Sequence, residues 1–350
     1  KPLAPPAPPP DAFSSFQSPE SLEAVKAFMR DFSVCMGLHS KLTSAITSNV
    51  GVTTRDGISE VSTALSKFHE AFIRLDSAMD AFRASTSSSS SSSTAHHQPS
   101  LFTPPSGASQ ADWWSSPQAD MSSYLADIVK IRPRYDELPF KVGTSEQGWC
   151  GLFYDGSTGS PVSFEIPVKN MFGVGQEKRR LAEGLSSPDD DKEYGRFLEG
   201  LSGGFMDDVH ETVKLQLLLC YVAKRPGHRH YPYVMSLPKK YTTVGATWRA
   251  EDVGKLRFDP SLYAKAAKGR LAAVHLYLML TLGPGKAFVD ASFPSGLPLA
   301  DFMLSNAAVV SRQNMVPRPD GEGNELVLTP LWDMMNHSAD RGACVESAVV

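Results

Sequence analysis

The sequence predicts an α+β protein, and two kinds of pattern point to that class. Stretches near the N-terminus and between about residues 207 and 310 repeat apolar residues every three or four positions, as amphipathic helices do. Short β-favouring runs at residues 140–142 and 326–329 stand apart from these stretches and are bounded by turn residues. Helices that are segregated from short strands in this way are typical of α+β domains.

The N-terminal part predicts a helical arm behind a disordered end. Residues 1–18 are rich in proline, and we expect disorder or polyproline II there. A helical hairpin or coiled coil is expected over residues 19–84, with Pro19 in its first turn. Apolar residues within 58–82 recur at alternating steps of three and four. We expect this arm either to pack on itself or to bind a helical partner or a second copy through residues 58–82.

A flexible linker is expected over residues 85–120. It combines a serine run, several prolines and the pair His96-His97, a composition that cannot bury a core. The two histidines are interpreted as solvated rather than as metal ligands. The linker predicts that the arm moves independently of a second domain, residues 121–350.

Within that second domain, the sequence predicts a helical insert over about residues 207–310. Residues 175–204 are charged, and we expect loops there, with a solvated turn at residues 189–191. His228 and His230 flank a short loop that offers no further ligands, so we expect both to be solvated.

Composition excludes several classes of function. The formal net charge of −4 at pH 7 gives no basic field for nucleic acid, and no stretch is apolar enough to span a bilayer. The four cysteines are scattered without metal-ligand spacing, so we predict no metal site and reduced thiols in a cytoplasmic or nuclear protein. Since the chain begins with Lys1, we expect the true N-terminus to be missing.

Two polar segments flank a predicted hairpin near the end of the sequence. Residues 311–314, Ser-Arg-Gln-Asn, close an apolar helix, and residues 330–338, Pro-Leu-Trp-Asp-Met-Met-Asn-His-Ser, follow the run at 326–329. A turn at 319–321 folds the chain back, so we expect the two segments to converge. An isolated Asn-His pair is most often a turn with a satisfied imidazole, and the prediction therefore depends on both segments together.

These two segments resemble SET-domain protein methyltransferases. The branch is the one that holds the Rubisco large-subunit methyltransferase and the actin-histidine methyltransferase, and the resemblance is closest to the actin-histidine type. It implies a SET domain of short strands with an inserted helical subdomain, S-adenosylmethionine as cofactor, and an actin-like or other protein as substrate. Histidine is the expected target. Protein-lysine methylation and a catalytically inactive binding scaffold remain alternatives.

The resemblance also implies roles for individual residues. Expected cofactor-binding residues are Glu146, Gly148, Gly151, Ser311, Arg312, Asp333, Asn336 and His337; expected substrate-binding residues are Gln313, Asn314 and Trp332. The glycine turn departs from the family pattern, because one extra residue separates its two glycines. A side-chain amide at Asn314 can orient an imidazole through one ring nitrogen. The alternative interpretation is that Asn314 caps the preceding helix and that Trp332 is a core residue.

The resemblance places the catalytic tyrosine after Val350, together with the rest of the substrate-binding region. We therefore expect no catalytic residue within this sequence, and no turnover from residues 1–350 alone.

Overall fold

The computed structural model describes residues 19–49, 54–88, 124, 140–144, 150–154, 165–184, 191–238, 241 and 244–334. The elements in chain order are α1 (Pro19–Ser48), α2 (Arg55–Ser88), β1 (Phe140–Thr144), β2 (Cys150–Tyr154), α3 (Val174–Ala182), α4 (Asp191–Gly200), α5 (Glu211–Ala223), α6 (Tyr231–Ser236), α7 (Ala250–Gly254), α8 (Pro260–Thr281), α9 (Lys286–Ser292), α10 (Leu299–Arg312), β3 (Gln313–Pro317) and β4 (Asn324–Leu328). Helices dominate, with two small two-stranded sheets, which is consistent with the predicted α+β class.

The chain divides into two compact units. One contains residues 1–98 and 241–307, and the other contains residues 99–240 and 308–350. This division differs from the predicted insert over about 207–310, because α5 and α6 belong with the sheets while residues 241–307 belong with the N-terminal helices. Helical periodicity is present throughout that stretch and does not indicate which neighbour each apolar face packs against.

The predicted helical pairing near the N-terminus is confirmed, since α1 and α2 pack against each other. The rings of Phe28 and Phe82 stack with their centroids 5.3 Å apart. The predicted three-four pattern marks the buried face of α2: Leu65, Phe68, Phe72, Leu75, Met79 and Phe82. Ile58, at the start of the pattern, is an exception because it is 61% exposed. Helix α2 also continues to Ser88, slightly beyond the expected start of the linker.

The two N-terminal helices share a core with α7 and α8, which differs from the independent arm expected above. His39 Nε2 lies 3.0 Å from the backbone oxygen of Ala264, and His69 Nδ1 lies 2.9 Å from Tyr263 OH. The ring of Phe68 meets Tyr263 edge to face at 5.7 Å. The hairpin formed by α1 and α2 is therefore a structural part of its unit.

A buried ion pair reinforces this packing. Asp76 on α2 accepts a hydrogen bond from the Arg270 guanidinium on α8, and both side chains are 6% exposed. The second carboxylate oxygen accepts from the backbone N–H of Ala250, the first residue of α7, at 2.6 Å. One carboxylate thus connects α2, α7 and α8.

The second unit contains both sheets. β1 and β2 pair antiparallel with Gly143 opposite Gly151, and β3 and β4 form an antiparallel hairpin. The predicted strands at 140–142 and 326–329 and the turn at 319–321 are confirmed; Gly321, with φ of 76°, adopts the left-handed conformation that glycine tolerates.

Helices α3 and α4 correct one expectation, because residues 175–204 were predicted to form loops. Gly173, the N-cap residue of α3, lies so close to β4 that an added Cβ would be 2.8 Å from Val327 Cγ1. Glu177 on α3 and Tyr194 on α4 are both buried. Glu177 has polar partners inside the protein, whereas Lys192, Glu193, Arg196 and Glu199 are exposed, so charge density alone did not predict the helices.

In the described part of the chain, no single helix has the length and apolarity to cross a membrane. Helices α8 and α9, which meet at an angle of 77°, reach that length and apolarity only when the two helices are counted together. The proline-rich start and most of the predicted linker lie outside the described residues.

Candidate functional site

The two polar segments predicted to carry the site meet at one end of the β3–β4 hairpin. Gln313 pairs with Leu328 across the strands, so the residues before β3 and after β4 are neighbours. After β4, residues Trp332–Met334 form a short 3-10 helix. Arg312, the last residue of α10, donates from Nη1 to the backbone oxygen of Asp333, and Nη1 lies 3.7 Å from Asp333 Oδ1. The expected convergence of the two segments is observed.

The Asp333 carboxylate is 1% exposed, and its two oxygens have different surroundings. Oδ2 accepts a hydrogen bond from the hydroxyl of Tyr233 on α6. Oδ1 has no hydrogen-bond partner among the described residues. Burial raises the pKa of Asp333 to about 6, although Arg312 and the Tyr233 hydroxyl both favour the charged form. A buried acceptor without a donor is costly, which makes this oxygen a candidate ligand-binding atom.

The backbone that carries Asp333 is strained at the preceding turn. Leu331 is fully buried and has φ of 74°, a left-handed conformation that is uncommon for residues other than glycine. Such a conformation costs about 1–3 kcal/mol and persists only where the surroundings enforce it. The backbone N–H of Asp333 donates to the Thr329 oxygen at 3.0 Å, closing the turn. Burial of the Leu331 side chain therefore helps to hold Trp332 and Asp333 in place.

Two predicted substrate-binding residues have partners within the protein. Asn314 Nδ2 donates to the Arg312 backbone oxygen at 3.0 Å, and Gln313 Oε1 accepts from Thr212 Oγ1 at 3.2 Å. The first contact satisfies a terminal carbonyl of α10, in agreement with the alternative in which Asn314 caps this helix. It engages the amide nitrogen of Asn314 and not its Oδ1.

Ser311 and Trp332 occupy different environments. Ser311 is exposed, and its hydroxyl donates to the Ala308 backbone oxygen at 3.2 Å. Trp332 is half-buried, so it is neither a core residue nor fully exposed. Part of the surface of this residue therefore remains accessible.

The predicted glycine turn is described only at its end. Gly151 lies in β2, and β2 lies against the 3-10 helix Trp332–Met334. This brings the strand after the turn next to the segment that carries Asp333. The other predicted cofactor residues lie outside the described residues: Glu146, Gly148, Asn336 and His337.

A second buried polar cluster, centred on Glu177, was missed by the sequence analysis. Tyr194 OH donates to Glu177 Oε2 at 2.8 Å, and Arg180 Nη1 lies 3.3 Å from Oε1. His230 Nε2 lies 3.1 Å from Oε1, and His228 Nε2 lies 3.4 Å from Oε2. Burial would raise the pKa of Glu177, but the two adjacent imidazoles outweigh it and hold the pKa well below its usual value.

The expectation that His228 and His230 are solvated is therefore wrong. His230 is fully buried, and the side chain of His228 is 11% exposed. Burial lowers the pKa of His230 and favours the neutral ring. Tyr124 OH lies 2.7 Å from His230 Nδ1, which fits a tautomer that accepts there and carries its proton on Nε2, toward Glu177. The partner carboxylate belongs to a distant helix, and nothing in the spacing of the histidines indicates it.

No role was assigned to Tyr233 from the sequence. Its contact with Asp333 depends on packing between α6 and the 3-10 helix. In the part of the chain that the structure describes, no group of three or more His, Cys, Asp or Glu residues is arranged to hold a metal ion.

The described residues fit the predicted cofactor in one respect. The amino-acid end of S-adenosylmethionine carries an ammonium group, and Asp333 Oδ1, which accepts no hydrogen bond among the described residues, is an acceptor suited to such a donor.

Comparison with known proteins shows partial similarity to one kind of enzyme, while no family model matches the chain. Actin-histidine N-methyltransferase of Gallus gallus is 29% identical over 124 residues, 35% of this chain and 20% of that protein. The protein of the same name from Danio rerio is 27% identical over 176 residues, 49% and 26% of the two chains. That of Mus musculus is 29% identical over 126 residues, 35% and 20%. The chain thus spans about a fifth to a quarter of the length of these relatives, and the similarities indicate a related methyltransferase.

Proposed function

We propose that this chain comes from an S-adenosylmethionine-dependent protein methyltransferase of the SET type that modifies a histidine. The observation that carries the proposal is the contact between Arg312 and Asp333, which joins the two family-like segments around one buried carboxylate. The name shared by the relatives suggests an actin-like substrate.

On the cofactor side, the chain supplies charge complementarity. When bound, S-adenosylmethionine supplies an electrophilic methyl group on a sulfonium. Asp333 would accept from its ammonium group through Oδ1, and Arg312 would contribute positive charge near its carboxylate. Ser311 would line the same side, and Gly151 would allow close backbone approach through β2. From the family resemblance we propose further cofactor contacts for four residues outside the described part of the chain: Glu146, Gly148, Asn336 and His337.

On the substrate side, the chain must present a neutral imidazole in one orientation. Asn314 Oδ1 would accept from the N–H of one ring nitrogen, while its Nδ2 stays on the end of α10. The other nitrogen would then present its lone pair to the methyl group that the bound cofactor supplies, and the ring proton that Asn314 Oδ1 holds would pass to water after transfer. Trp332 would provide an aromatic wall for the substrate, and Gln313, which contacts Thr212, would line the substrate-binding site. Alignment of the reacting atoms is the main demand of this displacement.

Cofactor binding tests the proposal directly. In the full-length protein, Asn336→Ala removes a hydrogen bond to a charged group and should weaken S-adenosylmethionine binding about ten- to hundredfold by calorimetry. Asn324→Ala is the matched control, because Asn324 is exposed at the far end of the β3–β4 hairpin.

The control should bind within about twofold of the wild type. Equal binding by both variants, or no cofactor binding by the wild type, would favour the scaffold alternative.

A further inference from the structure

Tyr233 is the buried residue outside the predicted site that contacts it most directly. It is fully buried on α6, and its hydroxyl donates to Asp333 Oδ2. Burial, with the adjacent Asp333 charge, raises the pKa of Tyr233 well above 10, so the hydroxyl keeps its proton across the working range of pH. The hydroxyl is therefore a permanent donor to one oxygen of the carboxylate.

The ring of Tyr233 is held on two sides by other aromatic rings. Tyr124 stacks on it with a centroid distance of 6.4 Å and an interplanar angle of 16°. Phe172 meets it at 6.2 Å and 57°. Phe172 is itself fixed through backbone hydrogen bonds with Leu328, at 2.8 and 2.9 Å, at the end of β4. Little freedom remains for the phenol to turn away from Asp333.

The Glu177 cluster fixes this arrangement from behind. Tyr124 OH is bonded to His230 Nδ1 at 2.7 Å, and the His230 ring meets Phe172 edge to face at 5.3 Å. His230 Nε2 in turn lies 3.1 Å from Glu177. A continuous buried path therefore runs from α3 through the two tyrosine rings to the 3-10 helix.

The two carboxylates at the ends of this path are satisfied to different degrees. Glu177 has donors on both oxygens, as expected for a structural group. Asp333 accepts a hydrogen bond on Oδ2, whereas Oδ1 accepts none among the described residues and has the Arg312 guanidinium 3.7 Å away. Buried polar atoms are normally hydrogen-bonded, so an oxygen that has a charge nearby but no hydrogen bond is a candidate acceptor for a ligand.

We infer that Tyr233 is a positioning residue, which fixes Asp333 so that its Oδ1 is presented to the ammonium group of S-adenosylmethionine. The inference rests on the proposed function and goes beyond it by assigning a role to a residue on α6. The path Glu177–His230–Tyr124 supports the Tyr233 ring and keeps its hydroxyl directed at Asp333.

The pH dependence of binding distinguishes positioning from a merely structural role. Within the described residues, the charged or titratable groups that face Asp333 are Arg312 on α10 and Tyr233 on α6, with Tyr124 behind Tyr233. Burial raises the pKa of Asp333 to about 6, and the Tyr233 hydrogen bond limits this increase. Tyr233→Phe removes the hydrogen bond and should therefore raise the pKa of Asp333 above that value. Since the ammonium group needs the ionised carboxylate, affinity falls as the pH drops through this pKa, and the variant should lose affinity at a higher pH.

The test is calorimetry of S-adenosylmethionine and of its demethylated product, S-adenosylhomocysteine, on the full-length protein between about pH 5.5 and 8.5. Tyr233→Phe should weaken binding about ten- to hundredfold near pH 7, with a smaller loss at pH 8.5. Tyr231→Phe, a half-buried tyrosine two residues earlier on α6, should match the wild type. In an Asp333→Asn background, Tyr233→Phe should cost at most about twofold, because the partner it positions is already changed.

The outcomes separate the two proposals. If the wild type binds the cofactor and Tyr233→Phe binds equally well, or weakens equally at every pH, the positioning role is wrong while the proposed function stands. The positioning role is also contradicted if Tyr233→Phe weakens cofactor binding as much in the Asp333→Asn background as it does in the wild type. If the folded wild type binds neither compound, the proposed function fails and this inference fails with it.

Discussion

Removing the carboxylate of Asp76 should destabilise the unit formed by the N-terminal helices and α8. Asp76 and Arg270 form an ion pair in which each side chain is 6% exposed. Asp76→Ala leaves the guanidinium buried, with its hydrogen bond to the Ala246 oxygen at 3.3 Å but without a counter-charge. Breaking such a buried pair from one side costs about 3–5 kcal/mol. The backbone N–H of Ala250 also loses its acceptor, which places the expected loss toward the upper end.

Hydrogen exchange on the full-length protein measures this loss locally, which matters because a chain with two units need not unfold in one step. The free energy of opening at α1, α2 and α8 amides should fall by about 3–5 kcal/mol. Glu23→Ala is the control, because its ion pair with Lys26 is exposed and should contribute about 0–1 kcal/mol. Adding Arg270→Met to Asp76→Ala should recover part of the loss. If Asp76→Ala costs no more than the control, the ion pair does not support this packing.

Three further predictions follow from the packing and the site. Deleting residues 1–88 should destabilise residues 241–307, because it exposes the apolar faces around Tyr263 and Arg270. If thermal scanning shows the same transition temperature for the truncated protein, the prediction of an independent N-terminal arm is supported instead. Glu177→Gln should lower the urea midpoint at neutral pH. Since folding lowers the pKa of Glu177 below 4.5, its contribution is present above that value and lost as the pH falls below it, so the two proteins should converge in acid, and a constant difference down to pH 3 would contradict this. Asn314→Phe in the full-length enzyme should shift preference from a histidine peptide toward a lysine peptide by about 1–3 kcal/mol in competition assays, and an unchanged ratio would remove Asn314 from substrate selection.

Local patterns in the sequence were sufficient to predict several elements. The three-four spacing marked the buried face of α2, and the turn residues at 319–321 with the β-favouring run at 326–329 predicted the β3–β4 hairpin. The hairpin in turn explains why Arg312 and Asp333 meet. These features depend on near neighbours in the chain, where periodicity and turn chemistry are informative.

Contacts between distant segments were not predictable in the same way. The packing of α1 and α2 on α8 depends on complementary faces, and the linker composition suggested independence instead. Glu177 was assigned to a loop because its neighbours are charged, although its four partners come from α3, α4 and the segment before α6. Single residues that pair across such distances, including Tyr233 with Asp333, carry no periodic signal.

The most direct test of the central claim is mass spectrometry of methyl transfer by the full-length protein. Two peptides that differ only in histidine or lysine at the target position, and intact actin, would be incubated with isotope-labelled S-adenosylmethionine. The proposal predicts a single labelled methyl group on a histidine ring nitrogen, lost when Asn336 is replaced by Ala and retained with Asn324→Ala. Labelling of the lysine peptide alone, or no labelling by a folded protein that binds the cofactor, would contradict it.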